Sequence, residues 1–204
     1  MSASTAATGR RILSIGHSNQ SLEAFLDLIR LHQIEVLVDA RSHPHSRHAP
    51  HFDARPLKGA VNAAGIKYLY LGKELGGRPA GAEFYDADGH VLYGLVAQSP
   101  LFLEGIRRLE EGAQKYRIAL MCSEENPTSC HRRLLIGRVL AARGITLDHI
   151  RGDGQIQTEA ELANTEGTQQ AGEQPGLFGQ QEERAWRSTR SVLPRRPQLS
   201  SSER

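Results

Sequence analysis

Both cysteines of this chain fall in one short segment, Met121-Cys122-Ser123-Glu124-Glu125-Asn126-Pro127-Thr128-Ser129-Cys130-His131-Arg132-Arg133. The apolar run before it (Tyr116 to Met121) reads as a strand, and the pattern from Leu134 to Arg143 reads as a helix. A thiol, an imidazole and guanidinium groups therefore meet where a strand ends and a helix begins. A helix start carries unpaired N–H groups and a partial positive charge, which favour anions and thiolates. Cys130 is accordingly a candidate nucleophile or redox thiol, with His131 beside it and Arg132 and Arg133 favouring its thiolate. The plainer alternative is a small buried residue that packs the loop. Cys122 ends a core strand, where packing is the simpler account, although a reversible bond between the two can form if their loop folds back.

Spacing excludes several familiar chemistries. A phosphatase-type loop needs an arginine six positions after its cysteine, and Thr128 and Ile136 occupy those places. There is no Cys-x-x-Cys pair, and no glycine-rich loop of the kind that cradles nucleotide phosphates follows a strand. No cofactor is implied. Arg41, Arg47, Arg78 and Arg132 offer a basic pocket able to fork a phosphate or carboxylate, or else pair with Asp39, Glu74 or Glu124. His43, His45, His48 and His51 invite a metal, but their irregular spacing favours a solvated loop. His17 follows the first strand and is the better candidate for acid–base work, since imidazole titrates near physiological pH.

The elements that must position these groups alternate. Arg11 to Ile15, Ile34 to Val38, Ile66 to Leu71, Tyr116 to Met121 and Ile145 to Ile150 read as five strands. Helices are expected after Ser21, from Leu57 to Ala64 with Gly65 at its end, from Pro100 to Gly112, and after Cys130; Ala80 to Gly89 reads as a loop. Alternation of this kind predicts an α/β fold: one three-layer domain over residues 11–154, with a mostly parallel sheet of about five strands. Ligands bind beyond the carboxyl ends of such strands. Gly16-His17-Ser18, Asp39-Ala40-Arg41, Leu75-Gly76-Gly77 and Cys122-Ser123-Glu124 should therefore converge on one edge.

Two cysteines, no apolar run of membrane-spanning length and no leader pattern predict a cytoplasmic protein with no membrane partner. A net charge of +2 is too small to argue for nucleic acid by itself. Residues 1–10 and 155–204 are expected to be disordered, because polar residues dominate and few apolar ones offset ordering entropy.

The run Leu120-Met121-Cys122-Ser123-Glu124, Pro127 and Cys130-His131-Arg132-Arg133 resembles the DUF488 family, as do Gly16-His17-Ser18, Asp39-Ala40-Arg41, Pro44, Ser46-Arg47, Phe52 and the Leu75-Gly76-Gly77 turn. The resemblance spans about residues 11 to 151. It places Arg41, Ser46, Arg47, Cys122, Glu124, Cys130, His131 and Arg132 on motif positions, with Ala40 where valine is expected. It implies the fold rather than an activity, and it brings a loose DNA-repair label. From residues and resemblance together, Cys130, His131, His17 and Glu124 are expected to do chemistry, and Arg41, Ser46, Arg47 and Arg132 to bind a small phosphate- or nucleotide-like anion.

The tail adds a second signal. Gln174-Pro175-Gly176-Leu177-Phe178 looks like the peptide by which bacterial replication and repair proteins hold the sliding clamp, with Leu177 and Phe178 filling a cleft and Gln174 bonding at its rim. Downstream, Arg184, Trp186, Arg187, Arg190, Arg195 and Arg196 are placed to contact DNA phosphates while Trp186 stacks on a base. The first expectation is thus a cysteine-dependent enzyme or redox protein with an anion site. The alternatives are a clamp-recruited accessory factor of DNA metabolism and, ranked below both, a metal-binding protein.

Overall fold

The structure, a computed structural model, describes residues 10–171 and 186–192. Six strands form one sheet: β1 (Arg10–Gly16), β2 (Val36–Asp39), β3 (Lys67–Tyr70), β4 (Ile118–Cys122), β5 (Ile145–Ile150) and β6 (Ile156–Gln157). Their order is β3-β2-β4-β1-β5-β6, and every pairing is parallel except β5 with β6. The sixth strand is the departure from expectation. It is two residues long and turns back through Gly154, whose φ of 83° suits glycine.

Period-two alternation sends the strand side chains into two cores. Leu13, Ile15, Leu37, Ala119 and Met121 meet the first face, covered by α1 (Leu22–Leu31) and α2 (Ala54–Ala63). Ile12, Val36, Val38, Ile118 and Leu120 meet the second. There α5 (Pro100–Ala113) contributes Phe102, Ile106 and Leu109. Between the two sheet faces and their helices lie the three expected layers. Ser21 caps α1 as its sequence suggests, accepting from Ala24 N at 3.1 Å. Two short helices, α3 (Gly72–Leu75) and α4 (Tyr93–Val96), lie on the connection between β3 and α5, and a 3₁₀ turn over Ala82–Phe84 interrupts the loop expected there.

The helix after Cys130 is not a plain α-helix. A π-helical stretch over Arg132–Gly137 precedes α6 (Arg138–Ala141). The wider π turn is a device found often at functional sites. It carries Arg132 wholly into the interior while Leu135 and Ile136 pack on the second face.

Beyond Gly154 the domain extends further than the expected boundary. After β6 comes α7 (Glu159–Ala171), and residues 186–192 return to the domain. Trp186, expected to stack on a nucleic-acid base, instead stacks beneath the Arg138 guanidinium at 4.4 Å and donates from Nε1 to the Leu134 carbonyl at 2.8 Å. Gln174, Leu177 and Phe178 lie outside the described residues. Among the described residues no helix is long and apolar enough to cross a membrane.

Candidate functional site

The carboxyl ends of β1, β2 and β4 meet as topology requires. His17 N donates to the Cys122 carbonyl at 3.0 Å, and Ala40 N donates to the Met121 carbonyl at 3.0 Å. Gly16 allows the closest approach: a Cβ there would lie 1.8 Å from the Glu124 carbonyl oxygen. Above this edge opens a cleft of about 340 Å³ whose walls include Arg41, Arg78, Tyr93, Cys122, Glu124, Cys130, His131 and Arg190.

Strand parity turns Cys122 toward the second face, where the π stretch presents Cys130. The two free thiols are both buried, with their Sγ atoms 3.0 Å apart. Arg132 lies beneath them. Its Nη1 donates to Cys122 Sγ at 2.7 Å and to the Glu124 carbonyl, its Nη2 to the Glu125 carbonyl at 2.5 Å, and its Nε to Ser14 Oγ at 3.2 Å. Ser14 Oγ in turn meets His149 Nδ1 at 2.6 Å. The buried cation is thus held by carbonyls, a hydroxyl and sulfur, with no carboxylate among those contacts, and its charge is left to act on the thiols.

The two thiols are driven apart in acidity. Burial raises Cys122, and its hydrogen bond to Cys130 and the charge of Cys130 raise it further. Burial opposes ionisation of Cys130 too, but the Cys122 hydrogen bond and the Arg132 charge outweigh it and bring this thiol below its ordinary value. His131 completes the arrangement. Its Nε2 lies 3.2 Å from the Ala40 carbonyl, which can only accept, so the ring proton belongs there. Nδ1 then turns its lone pair to Cys130 Sγ at 3.7 Å. Burial lowers the His131 pKa and keeps that lone pair available. Gly77 packs on the ring's flank, where a Cβ would lie 2.8 Å from its Cγ.

Other expected site residues are placed differently. Arg41 lines the cleft, but its Nε and Nη2 are bound to the buried Asp39 carboxylate at 2.9 and 2.6 Å, and Nη1 donates to His17 Nε2 at 3.2 Å. Its charge is neutralised, as an arginine pairing with Asp39 would have it. His17 stands outside the cleft lining, stacked on Phe52 at 4.3 Å, with Nδ1 donating to the Ser18 carbonyl at 2.7 Å. Burial first, and Arg41 as well, lower its pKa to about 4, so it is neutral near pH 7. Ser46 and Arg47 are not brought to the cleft; Ser46 Oγ accepts from Ala49 N at 3.1 Å to shape its loop, and Arg47 is exposed. Glu124 is exposed on the cleft wall.

Of the four loop histidines, His43 and His45 reach the cleft wall, while His45 Nδ1 is 2.6 Å from Asp53 and His51 Nε2 is 2.9 Å from the Gln20 carbonyl. Among the described residues the three ligating side chains that cluster are Asp86, Asp88 and His90, in a turn. There Asp86 Oδ1 accepts from Asp88 N and His90 N, and Oδ2 pairs with Arg187 at 2.6 Å. Sequence reasoning did not find Tyr93, Ser188, Thr189 or Arg190 on the cleft wall. The one available signal was Trp186, a lone large aromatic in a polar stretch that had to find an apolar partner.

A family model described as "Domain of unknown function DUF488" matches residues 21–139, more than half of the chain. No curated protein and no solved structure matches it.

Proposed function

The chain belongs to the DUF488 family, and from its site we propose that it is a cysteine-dependent thiol–disulfide oxidoreductase, with Cys130 as the attacking thiol and Cys122 as the resolving one. The observation that carries this reading is the 3.0 Å contact between two free thiols of opposite acidity shift on the wall of a cleft. A packing role would not call for a lone pair of His131 turned to one sulfur or a cation buried beside the other.

His131 Nδ1 takes the Cys130 proton, and the thiolate attacks one sulfur of a substrate disulfide. A Cys130–substrate disulfide forms, the substrate S–S bond breaks, and the departing thiolate takes up a proton. Cys122 then attacks Cys130 Sγ, its proton passing to the second substrate sulfur as that sulfur departs. The Cys122–Cys130 bond forms, contracting from 3.0 Å to about 2.05 Å, and the second substrate thiol leaves. Two electrons pass from the cysteine pair to the substrate, and a reduced dithiol donor returns them for the next cycle. Arg132 stabilises whichever sulfur carries charge, which is why burial of an arginine is tolerated here.

The test is exposure to oxidised glutathione followed by mass spectrometry of the intact chain. Loss of two hydrogens, mapped to Cys122 and Cys130, is expected. Cys122→Ser should instead accumulate a glutathione adduct on Cys130, and Cys130→Ser should acquire none. Adducts at neither cysteine, or no internal bond in the native sequence, would exclude the reading.

A further inference from the structure

The cleft is completed from a distant part of the chain. Residues 186–192 form a strap that contributes to its wall: Ser188 N donates to the Val91 carbonyl at 2.9 Å, Val91 N donates to Ser188 Oγ at 2.9 Å, and Val192 N donates to the Gly89 carbonyl at 2.9 Å. Arg187 is fixed to Asp86 at 2.6 Å, and Thr189 Oγ1 reaches the Ser129 carbonyl at 3.4 Å. Between these anchors Arg190 stands exposed on the cleft wall, its carbonyl accepting from Ser188 Oγ at 2.7 Å. Arg78 is exposed on the same wall, its backbone N–H bound to Ser42 Oγ at 2.8 Å. No carboxylate among the described residues pairs with the guanidinium of Arg78 or Arg190. Arg41, by contrast, already has Asp39, and Arg132 is wholly buried. The charge available to a ligand in this cleft therefore comes from Arg78 and Arg190, with Glu124 the one carboxylate on its wall among the described residues.

We propose that Arg78 and Arg190 form the specificity-determining clamp of this site, and that its substrate is a small disulfide bearing carboxylates. The proposal rests on the thiol–disulfide reading above. A guanidinium forks a carboxylate through two parallel N–H bonds, which fixes orientation as well as charge. A cleft of about 340 Å³ admits a small molecule rather than a folded partner. Arg190 lies outside the span 21–139 that the family model matches, so the clamp depends on this chain's own C-terminal segment. Ser188 is the positioning residue, because its hydroxyl ties the strap to Val91 and receives no substrate contact in this scheme.

The experiment compares two disulfide reagents on the full chain: dianionic dithiobis(nitrobenzoate) and neutral dithiodipyridine. Both are reduced by the cysteine pair, each releasing two thiols as the Cys122–Cys130 bond closes. The anionic reagent is expected to be preferred, with the preference eroding as salt rises. The double variant R78Q/R190Q should lower the anionic rate about tenfold or more, the loss expected for charge-assisted contacts, and leave the neutral rate within about twofold. Ser188→Ala should reduce the anionic rate by a smaller factor. An unchanged ratio of the two rates in R78Q/R190Q would overturn the clamp while leaving the thiol chemistry standing. An equal fall with both reagents, accompanied by a lower melting temperature, would overturn it as well, by making the arginines structural. Failure of the native sequence to react with either reagent would instead remove the oxidoreductase reading beneath it.

Discussion

His131 can serve Cys130 only because its other nitrogen is committed to the Ala40 carbonyl. The His131 ring beside the sulfur is thereby tied to the residue that follows β2. Since the Cys130 thiol is lowered, its thiolate accumulates at a lower pH than that of an ordinary cysteine. Iodoacetamide labelling of Cys130, followed by mass spectrometry across pH, should rise earlier than labelling of Cys122, whose thiol is raised. Arg132→Met removes the cation, so the Cys130 curve should move to higher pH. The same change removes the donor shared by two carbonyls, the Ser14 hydroxyl and Cys122 Sγ, and should cost about 3 kcal/mol in a urea titration. His17 supplies a separate dependence. Its folded pKa of about 4 lies below the ordinary imidazole value of 6.5, so between these values the unfolded chain binds the extra proton. The stability from neutral His17 is therefore present above pH 6.5 and lost as pH falls toward 4, up to about 3 kcal/mol. His17→Gln, which keeps an acceptor for Arg41, should flatten this slope by up to one proton. A slope unchanged from pH 7 to 5 would place the acid sensitivity in His131 and His149, which burial also lowers.

At the scale of elements, the five parallel strands were legible as short, mostly apolar stretches separated by helical patterns. The carboxyl-edge convergence followed from topology alone. The two-residue β6 has too few side chains for a period, and the π stretch over Arg132–Gly137 has no sequence signature separate from an amphipathic helix. That widening decides where Arg132 points. An expectation of a surface anion site became a buried cation under two sulfurs. Ser14 and His149 were weak signals of it, being polar residues within buried strands that needed a buried partner. Arg47 and Ser46 were misplaced for the opposite reason: motif positions in a loop can shape the loop itself. The α3 turn and the residues after it offer a direct test. Gly77→Ala would press a methyl into the His131 ring from 2.8 Å, so Cys130 alkylation should slow several-fold while stability falls by about 1–3 kcal/mol. Unaltered labelling in that variant would mean that the His131 orientation is immaterial to the thiol.

Across the whole molecule, residues 186–192 pack on the domain through Trp186. Trp186→Ala should cost about 2 kcal/mol or more, read by thermal melting, as a half-buried indole loses Arg138, Tyr93 and the Leu134 carbonyl. A DNA-stacking role would leave melting unmoved. For Gln174, Leu177 and Phe178, a peptide spanning Glu173 to Gly179 is expected to bind a bacterial sliding clamp at roughly micromolar Kd, and Leu177 and Phe178 changed together to Ala should abolish it. No measurable binding by the native peptide would end the recruitment reading. The sheet order also bears on how the chain is made. β1 pairs only with β4 and β5, its Leu13 opposite Ala119 and its Ile15 opposite Ile150. β2 and β3 can zip together as soon as they emerge from the ribosome, but β1, which precedes them, must wait with both edges unpaired until β4 and β5 exist, although α1 can already cover Leu13 and Ile15. During that interval it is an unpaired apolar edge open to other nascent chains, so yield in the cell should track the supply of holdase chaperones more closely than the melting temperature.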